Sequence, residues 1–188
     1  MESLIGIFIG IGLSAACGFR VFVPMLGISI ASLTGHLDLA PGFEWIGSPF
    51  ALIAFATATV IEIGAYYVPW LDNLMDTIST PSAILAGTII MASLMGEVHP
   101  LLKWSFATVG GGGSAGIIQW GTVLVRGTSS AATGGFGNPF VSTLELIFAI
   151  FMTILAIVIP ILTVIIVVLL CLSILKKFGR LFRRKAPA

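Results

Sequence analysis

Residues 139–175 read PFVSTLELIFAIFMTILAIVIPILTVIIVVLLCLSIL, an almost continuous apolar run of 37 residues. A helix needs about 20 apolar residues, each rising about 1.5 Å, to cross the hydrocarbon core of a bilayer. The run is therefore long enough for a membrane helix and too long for one upright crossing. We predict a helix that is tilted, kinked at Pro160, or extended into the cytoplasm by the basic residues that follow it.

The composition of the whole chain agrees with a membrane location. Of the 188 residues, 57% are hydrophobic and 9% are charged, and the mean hydropathy is +1.12. Soluble domains carry about 25% charged residues. In a bilayer only helices and closed barrels satisfy the backbone, and these apolar runs are continuous, not alternating as in barrel strands. The sequence therefore predicts an all-α, polytopic membrane helical bundle.

Four further apolar segments precede this run, at residues 3–33, 49–68, 82–95 and 101–125. The first is interrupted at residues 17–20 and the fourth by four glycines at 110–113, so each is predicted to be a broken crossing or a re-entrant hairpin. The third, with 14 residues, is short for a crossing and is expected to recruit flanking residues. About five membrane segments follow from this pattern.

The chain also repeats itself. A shift of 100 aligns residues 10–31 with residues 110–131, with eight identities in 22 positions. We interpret residues 1–95 and 101–175 as two membrane repeats, followed by a basic cytoplasmic tail at 176–188. If both broken segments cross, five spans and an inverted repeat result; if both re-enter, three spans and a parallel repeat result. We favour five spans, although with three spans the acidic loop with Asp38 and Glu44 would lie outside, which agrees slightly better with the charge rule. Repeats with interrupted helices are typical of secondary transporters.

Charge at the C-terminus predicts the orientation. Six of the nine basic residues lie between positions 176 and 185. By the positive-inside rule this tail is cytoplasmic, in a multi-pass protein of the inner (plasma) membrane. The tail can also touch anionic lipid headgroups. A short basic tail after a last span is an ordinary topological signal, so we do not expect a nucleic-acid partner.

Arg20 is the first candidate for a binding residue, because a charge between two apolar half-segments must face protein, water or a ligand. A half-helix beginning near Arg20 would add its positive end to the guanidinium, which predicts an anion or phosphate site. Small residues where the two broken segments meet would complete the site: Ser14, Gly18, Ser114, Gly112 and Gly113. The alternative is a structural ion pair between Arg20 and Glu62. Arg126 is interpreted as an interface anchor.

Three carboxylates are candidates for ion or proton coupling. Glu62 lies well inside the second apolar segment, and Asp72 and Asp76 share a face if their stretch is helical. Carboxylates in or beside a span are typical of proton relays and cation sites. The alternative is that the two aspartates cap helix ends or lie among headgroups.

Catalytic and metal-binding patterns are missing from the sequence. His36 and His99 lack ligand-like spacing, and Cys17 and Cys171 have no Cys or His neighbour. The glycine run is not followed by the Lys-Ser or Lys-Thr of a phosphate loop. We therefore expect no enzyme activity, no cofactor and no metal.

Two stretches carry a family resemblance: residues 14–24, SAACGFRVFVP, and residues 62–72, EIGAYYVPWLD. With the glycine run, they resemble a family of small bacterial membrane proteins designated domain of unknown function 4126, over roughly residues 5 to 175. The resemblance implies a multi-pass inner-membrane protein and carries no activity. The broken segment with its arginine is also loosely similar to bacterial undecaprenyl-phosphate translocases with re-entrant hairpins.

The leading functional prediction is a small transporter or lipid flippase, with an anion or phosphate site at the broken helices and Glu62 as the coupling carboxylate. One alternative is an oligomeric cation or proton channel lined by Glu62, Asp72 and Asp76. The other is a non-transporting scaffold or regulatory protein. The expected partners are membrane lipids, an anionic small molecule or lipid phosphate, and a second copy of the chain.

Overall fold

The computed structural model describes residues 2–184, without the side chains at positions 2, 3, 69, 70, 73 and 181–184. These residues form eight α-helices: α1 (Glu2–Cys17), α2 (Phe22–Leu33), α3 (Pro49–Ala65), α4 (Pro69–Leu94), α5 (Pro100–Phe106), α6 (Gly113–Thr133), α7 (Asn138–Val158) and α8 (Pro160–Arg184). A 3-10 turn at Glu44–Gly47 precedes α3, and a π-helical segment, Ala107–Gly112, joins α5 to α6. The predicted all-α class is confirmed.

Three stretches within these helices are long and apolar enough to cross a membrane: Leu74–Leu94, Asn138–Val158 and Pro160–Arg180. Large apolar side chains cover the outside of the bundle, including Phe50 at 86% exposed and Phe140 at 71%. A water-soluble protein rarely exposes apolar patches of this extent. The chain is therefore a membrane-embedded helical protein.

The first apolar segment is broken as predicted, and the break turns it into a hairpin. α1 runs antiparallel to α4, because Gly6 lies against Leu94 while Ser14 Oγ donates a 2.7 Å hydrogen bond to the Gly87 carbonyl. After a turn at residues 18–21 the chain reverses, and the loop after α2 returns to the same end of α4, where Ala40 N–H donates to Ser93 O at 2.7 Å. Both ends of residues 3–33 therefore lie at one end of the bundle.

The fourth apolar segment is not broken, and the prediction that the glycine run interrupts it is wrong. Residues 100–133 are helical throughout, with the wide π turns covering Ala107–Gly112. The glycines serve close helix contact: a Cβ on Gly111 would strike the Gly87 carbonyl oxygen of α4, and one on Gly112 would lie 2.5 Å from Thr88 Oγ1. Small residues permit such backbone approach between membrane helices.

The predicted internal repeat requires residues 10–31 and 110–131 to share a backbone conformation, and they do not. The first stretch is helix, turn and helix, whereas the second is helical from end to end. The proposed halves are also not separate bundles, since Gly12 of α1 packs against Ala156 of α7 and Thr163 of α8. Of the basic tail, residues 176–184 continue α8, and residues 185–188 lie outside the described part of the chain.

The long last segment is two helices, which corrects the prediction of one tilted or kinked crossing. Ile159 leaves the helical region at φ −135° and ψ 68°, and α8 begins at Pro160. Proline has no N–H to donate and is tolerated in the first helical turn, so it ends one helix and begins the next. α8 then runs back along the bundle, from Thr163 beside Gly12 to Ile174 beside Gly121.

The third segment recruits its flanking residues as predicted, because α4 extends over 26 residues and includes the polar stretch at 72–77.

The bundle has two chemically distinct ends. The acidic end holds the loops with Asp38, Glu44 and Glu97, and the basic end holds the α1–α2 turn, the α3–α4 turn and the C-terminal part of α8 with Lys176 and Lys177.

Candidate functional site

Five charged side chains from three helices and one turn meet inside the bundle near its basic end. They are Arg20, Asp72, Asp76, Arg126 and Glu145, which we call the charge cluster. Arg20, Asp72, Arg126 and Glu145 are 1%, 1%, 2% and 5% exposed. Burying unpaired charges costs several kcal/mol each, so the members of the cluster need partners of opposite charge.

Arg126 on α6 is the centre of the cluster. Its Nε and Nη2 bind the two carboxylate oxygens of Glu145 on α7, with a distance of 3.0 Å for Nε. Its Nη1 donates to Asp72 at 2.7 Å and to Asp76 at 3.0 Å, both on α4. The other oxygen of Asp72 accepts from Asn138 Nδ2 at 2.6 Å. The interpretation of Arg126 as an interface anchor is therefore wrong.

Arg20, at the α1–α2 turn, is held less completely. Its Nη2 donates to the carbonyl oxygen and the hydroxyl of Ser142 on α7, at 2.9 Å for the carbonyl. The same nitrogen lies 3.8 Å from Glu145 Oε2. Nε and Nη1 have no hydrogen-bond partner among the described residues. Arg20 is thus a buried guanidinium with unused donors.

An aromatic ring links the two arginines. The guanidinium carbons of Arg20 and Arg126 lie 3.9 and 3.8 Å from the ring centroid of Tyr66. The Tyr66 hydroxyl is 2.7 Å from Ser79 Oγ on α4. Guanidinium stacking on an aromatic face is attractive and leaves the in-plane N–H groups free to bind other partners. Tyr66 therefore fixes both arginines without consuming their donors.

Glu62 lies near the cluster but has a different partner from the one predicted. Its two carboxylate oxygens accept from the backbone N–H groups of Val21 at 2.9 Å and Phe22 at 3.1 Å. These N–H groups begin α2, where the helix dipole is positive. The N-terminus of α2, which we predicted to help bind an anion, is thus occupied by the Glu62 carboxylate. The Arg20 side chain pairs with Glu145 and Ser142 instead.

The small residues predicted for the binding site lie in helix contacts. Ser14 Oγ donates to Gly87 O, and Ser114 Oγ donates to Gly111 O at 2.9 Å. A Cβ on Gly18 would lie 2.5 Å from Ala115 O. Gly112 packs on Thr88. A Cβ added to Gly113 would have only Thr108 O nearby, at 3.9 Å. The structure brings the two segments together at Gly18, but the partners of the Arg20 guanidinium among the described residues are Ser142 and Glu145, not these small residues.

The charges of this region do not balance. Two guanidinium groups face the three carboxylates of the cluster and that of Glu62, so full ionisation leaves two excess negative charges. Asp76 is the most accessible carboxylate of the cluster, with its side chain 15% exposed. Among the described residues no three His, Cys, Asp or Glu side chains are arranged to hold a metal ion. The arrangement suits proton binding and exchange of ion-pair partners.

Sequence reasoning found Arg20, Asp72 and Asp76 but missed Glu145, Asn138 and Ser142. A usable signal was present: Glu145 is the one charged residue in the apolar run 139–175, as conspicuous there as Arg20 is in its own. Every ionisable residue in such a run needs a partner. If all ionisable residues in or beside the apolar segments had been considered together, Glu145 and Arg126 would have been recognised as candidate partners.

A family model described as Domain of unknown function (DUF4126) matches residues 7–178. The chain belongs to this family. The match includes every member of the charge cluster of this DUF4126 protein, together with Glu62 and Tyr66. No curated protein and no solved structure matches the chain.

Proposed function

We propose that this protein is a small transporter that moves an anionic solute across the membrane together with protons. The main support for the proposal is that Arg20 is only 1% exposed and that its Nε and Nη1 have no hydrogen-bond partner among the described residues. Leaving buried donors unpaired costs about 1–3 kcal/mol, more for charged groups. An anion at Arg20 would recover that cost, because charged hydrogen bonds are the strong ones.

Coupling to protons follows from the shared carboxylate. Glu145 binds Arg126 at two points and lies 3.8 Å from Arg20, so its negative charge competes with any anion for Arg20. Proton binding by a cluster carboxylate removes one negative charge and makes an anion at Arg20 more favourable. The anion and the proton would thus bind together. Asp76, partly exposed and bound to Arg126, is our candidate for proton entry.

The orientation of the site supports loading from the cytoplasm. The cluster lies near the basic end, and Lys176, Lys177 and Arg180 lie at the same end. The positive-inside rule places that end in the cytoplasm of an inner membrane. On this proposal the protein has no catalytic residue and needs no cofactor.

A proton or cation channel is the second candidate, and the excess of carboxylates over guanidinium groups favours it. Such a channel would use Asp72, Asp76 and Glu145 as exchange sites without binding an anion. The third possibility, a scaffold that transports nothing, predicts that neither anions nor protons interact with the cluster.

Binding can be tested before the substrate is known. The melting temperature of the purified protein in detergent is measured with inorganic phosphate, sulfate and a short-chain phosphatidic acid, at pH 5 to 8. We expect at least one anion to stabilise the wild type, more strongly at the lower pH. Arg20→Gln should abolish this stabilisation. Lys103→Gln is the control, because Lys103 stacks over Phe43, 5.0 Å from its ring centroid, away from the cluster.

Proton flux into liposomes loaded with a pH-sensitive dye distinguishes the transporter from the channel. A transporter should carry protons only when a stabilising anion is present. Proton flux without any anion, lost in Asp76→Asn and kept in Arg20→Gln, would support the channel instead. Stabilisation that persists in Arg20→Gln would rule out Arg20 as the anion site.

A further inference from the structure

A groove with one basic end runs along the outside of the bundle between α6 and α8. It has a volume of about 650 Å³ and is lined by Gly121, Leu124, Val125, Thr128, Ser129, Ala132, Ile174, Lys177 and Phe178. Gly121 supplies no side chain, and a Cβ there would lie 2.9 Å from Ile174 Cδ1. The groove therefore includes the point where the two helices touch.

The lining combines apolar and polar side chains. On α6 it passes from Leu124 and Val125 through Thr128 and Ser129 to Ala132, and α8 contributes Ile174, Lys177 and Phe178. No carboxylate in the described part of the chain forms an ion pair with Lys177. An ammonium group without an ion-pair partner suits a phosphate, and the apolar side chains of the groove suit hydrocarbon.

A second groove continues the apolar part between α6, α7 and α8. It has a volume of about 280 Å³ and shares Gly121, Val125 and Ile174 with the first. Its other lining residues are mostly apolar and include Glu145 of the charge cluster: Phe19, Ile118, Thr122, Val141, Leu144, Glu145, Phe148 and Leu170. From Ile118 to Ala132 the two grooves follow α6 over 14 helical rises, about 21 Å. One leaflet contributes about half of the roughly 30 Å hydrocarbon core, so an acyl chain of the adjacent leaflet fits this length.

We propose that this surface is a binding site for one anionic phospholipid, with its phosphate at Lys177 and one acyl chain in the apolar groove beside Val125. Charge selects this occupant: Lys177 lines the groove, and basic residues near the headgroup region attract anionic lipids. The groove on α8 that is lined by Ile84, Trp120 and Leu175 contains no charged side chain and offers no headgroup site. The proposal does not rest on the transport activity above.

Native mass spectrometry of the delipidated full-length protein tests the proposal. Phosphatidylglycerol and phosphatidylcholine with the same acyl chains are added separately, and the bound fraction is measured. We expect the wild type to bind phosphatidylglycerol more tightly. Lys177→Gln should weaken that binding about fivefold, the effect expected of one lysine near an anionic headgroup. Lys176→Gln is the matched control, since the neighbouring lysine carries the same charge but does not line the groove.

The acyl-chain half of the site has its own variant. Val125→Trp should fill the groove and lower phosphatidylglycerol binding, whereas Val168→Trp, an exposed α8 residue that lines neither groove, should not. Equal binding of the two lipids would overturn the proposal, as would equal losses for Lys176→Gln and Lys177→Gln. Unchanged binding in Val125→Trp would also overturn it. If Val125→Trp does not fold, the two lysine variants, both at exposed positions, still decide.

Discussion

The carboxylate of Glu62 on α3 accepts a 2.9 Å hydrogen bond from the backbone N–H of Val21, in the turn between α1 and α2. Its second oxygen accepts from Phe22 N–H, the first helical residue of α2. One helix thus caps another that it meets at the tip of a hairpin. Because Arg20 directly precedes these residues, the position of its guanidinium depends on Glu62.

Glu62→Leu should therefore destabilise the protein by about 1–3 kcal/mol, since it leaves one buried and one partly buried N–H donor unpaired. Glu62→Gln should cost less, because the amide oxygen still accepts one bond. Thermal unfolding in detergent measures the loss, and hydrogen exchange should rise first at the hairpin tip. Glu44→Leu is the control: Glu44 accepts from Gly42 N–H at 2.9 Å on the surface. Equal effects of the two leucine variants would contradict the capping role.

The sequence was sufficient to predict the all-α class and the first break in the chain, but not that Pro160 separates two helices. The break near Arg20 was predicted because glycine, a charge and Pro24 coincide there. The glycine run was misread because glycine weakens an isolated helix, yet in a bundle it permits backbone contact, as between Gly111 and Gly87. Whether a glycine run breaks a helix or permits close contact depends on the neighbouring helix. The position of that helix cannot be read from the glycine run itself.

The same limit applies to the site. Arg20 could be singled out because one charge in an apolar run must have a reason, but its partner depends on which helices are adjacent. Glu62 is the nearest carboxylate in the predicted segments, whereas Glu145 follows Arg20 by 125 positions in the chain and lies 3.8 Å away in space. Partner choice among buried charges is a property of the assembled bundle.

Two glycines of the same run should respond in opposite directions to alanine. Gly111→Ala should destabilise the bundle, because its Cβ would strike the Gly87 carbonyl oxygen and lie 2.6 Å from Met91 Cβ. Gly113→Ala should be neutral or stabilise by up to about 1 kcal/mol, since Gly113 is helical at φ −63° and ψ −46° with Thr108 O at 3.9 Å. Melting temperatures in detergent give both values. A larger loss for Gly113→Ala would contradict the close α4 contact.

The two ends of the bundle should react differently with a membrane-impermeant maleimide in intact bacterial cells. His36→Cys, in the loop after α2, should be labelled from outside, and Phe136→Cys, 91% exposed between α6 and α7, should be labelled only after permeabilisation. The background carries Cys17→Ala and Cys171→Ala. A reporter fused after Ala188 should be active in the cytoplasm. Labelling of both cysteines in intact cells would show that residues 36 and 136 lie on the same side.

The two buried arginines should differ in how much they contribute to the free energy of unfolding. Arg126→Leu should cost about 3–5 kcal/mol or more, because it removes the partner of Asp72, Asp76 and Glu145 together. Arg20→Leu should cost less, about 1–3 kcal/mol, since Glu145 keeps its two-point pair with Arg126. Unfolding in detergent measures both losses.

Double-mutant cycles then locate the partners. Adding Glu145→Leu to Arg126→Leu should recover part of the stability, with a coupling of about 0.5–3 kcal/mol, and not all of it, because Asp72 and Asp76 remain unpaired. Adding Glu62→Leu to Arg20→Leu should give no recovery, since the Glu62 oxygens bind the backbone of Val21 and Phe22. Full rescue by Glu62→Leu would mean that Arg20 and Glu62 form the structural ion pair after all, and that the unused donors of Arg20 are not an anion site.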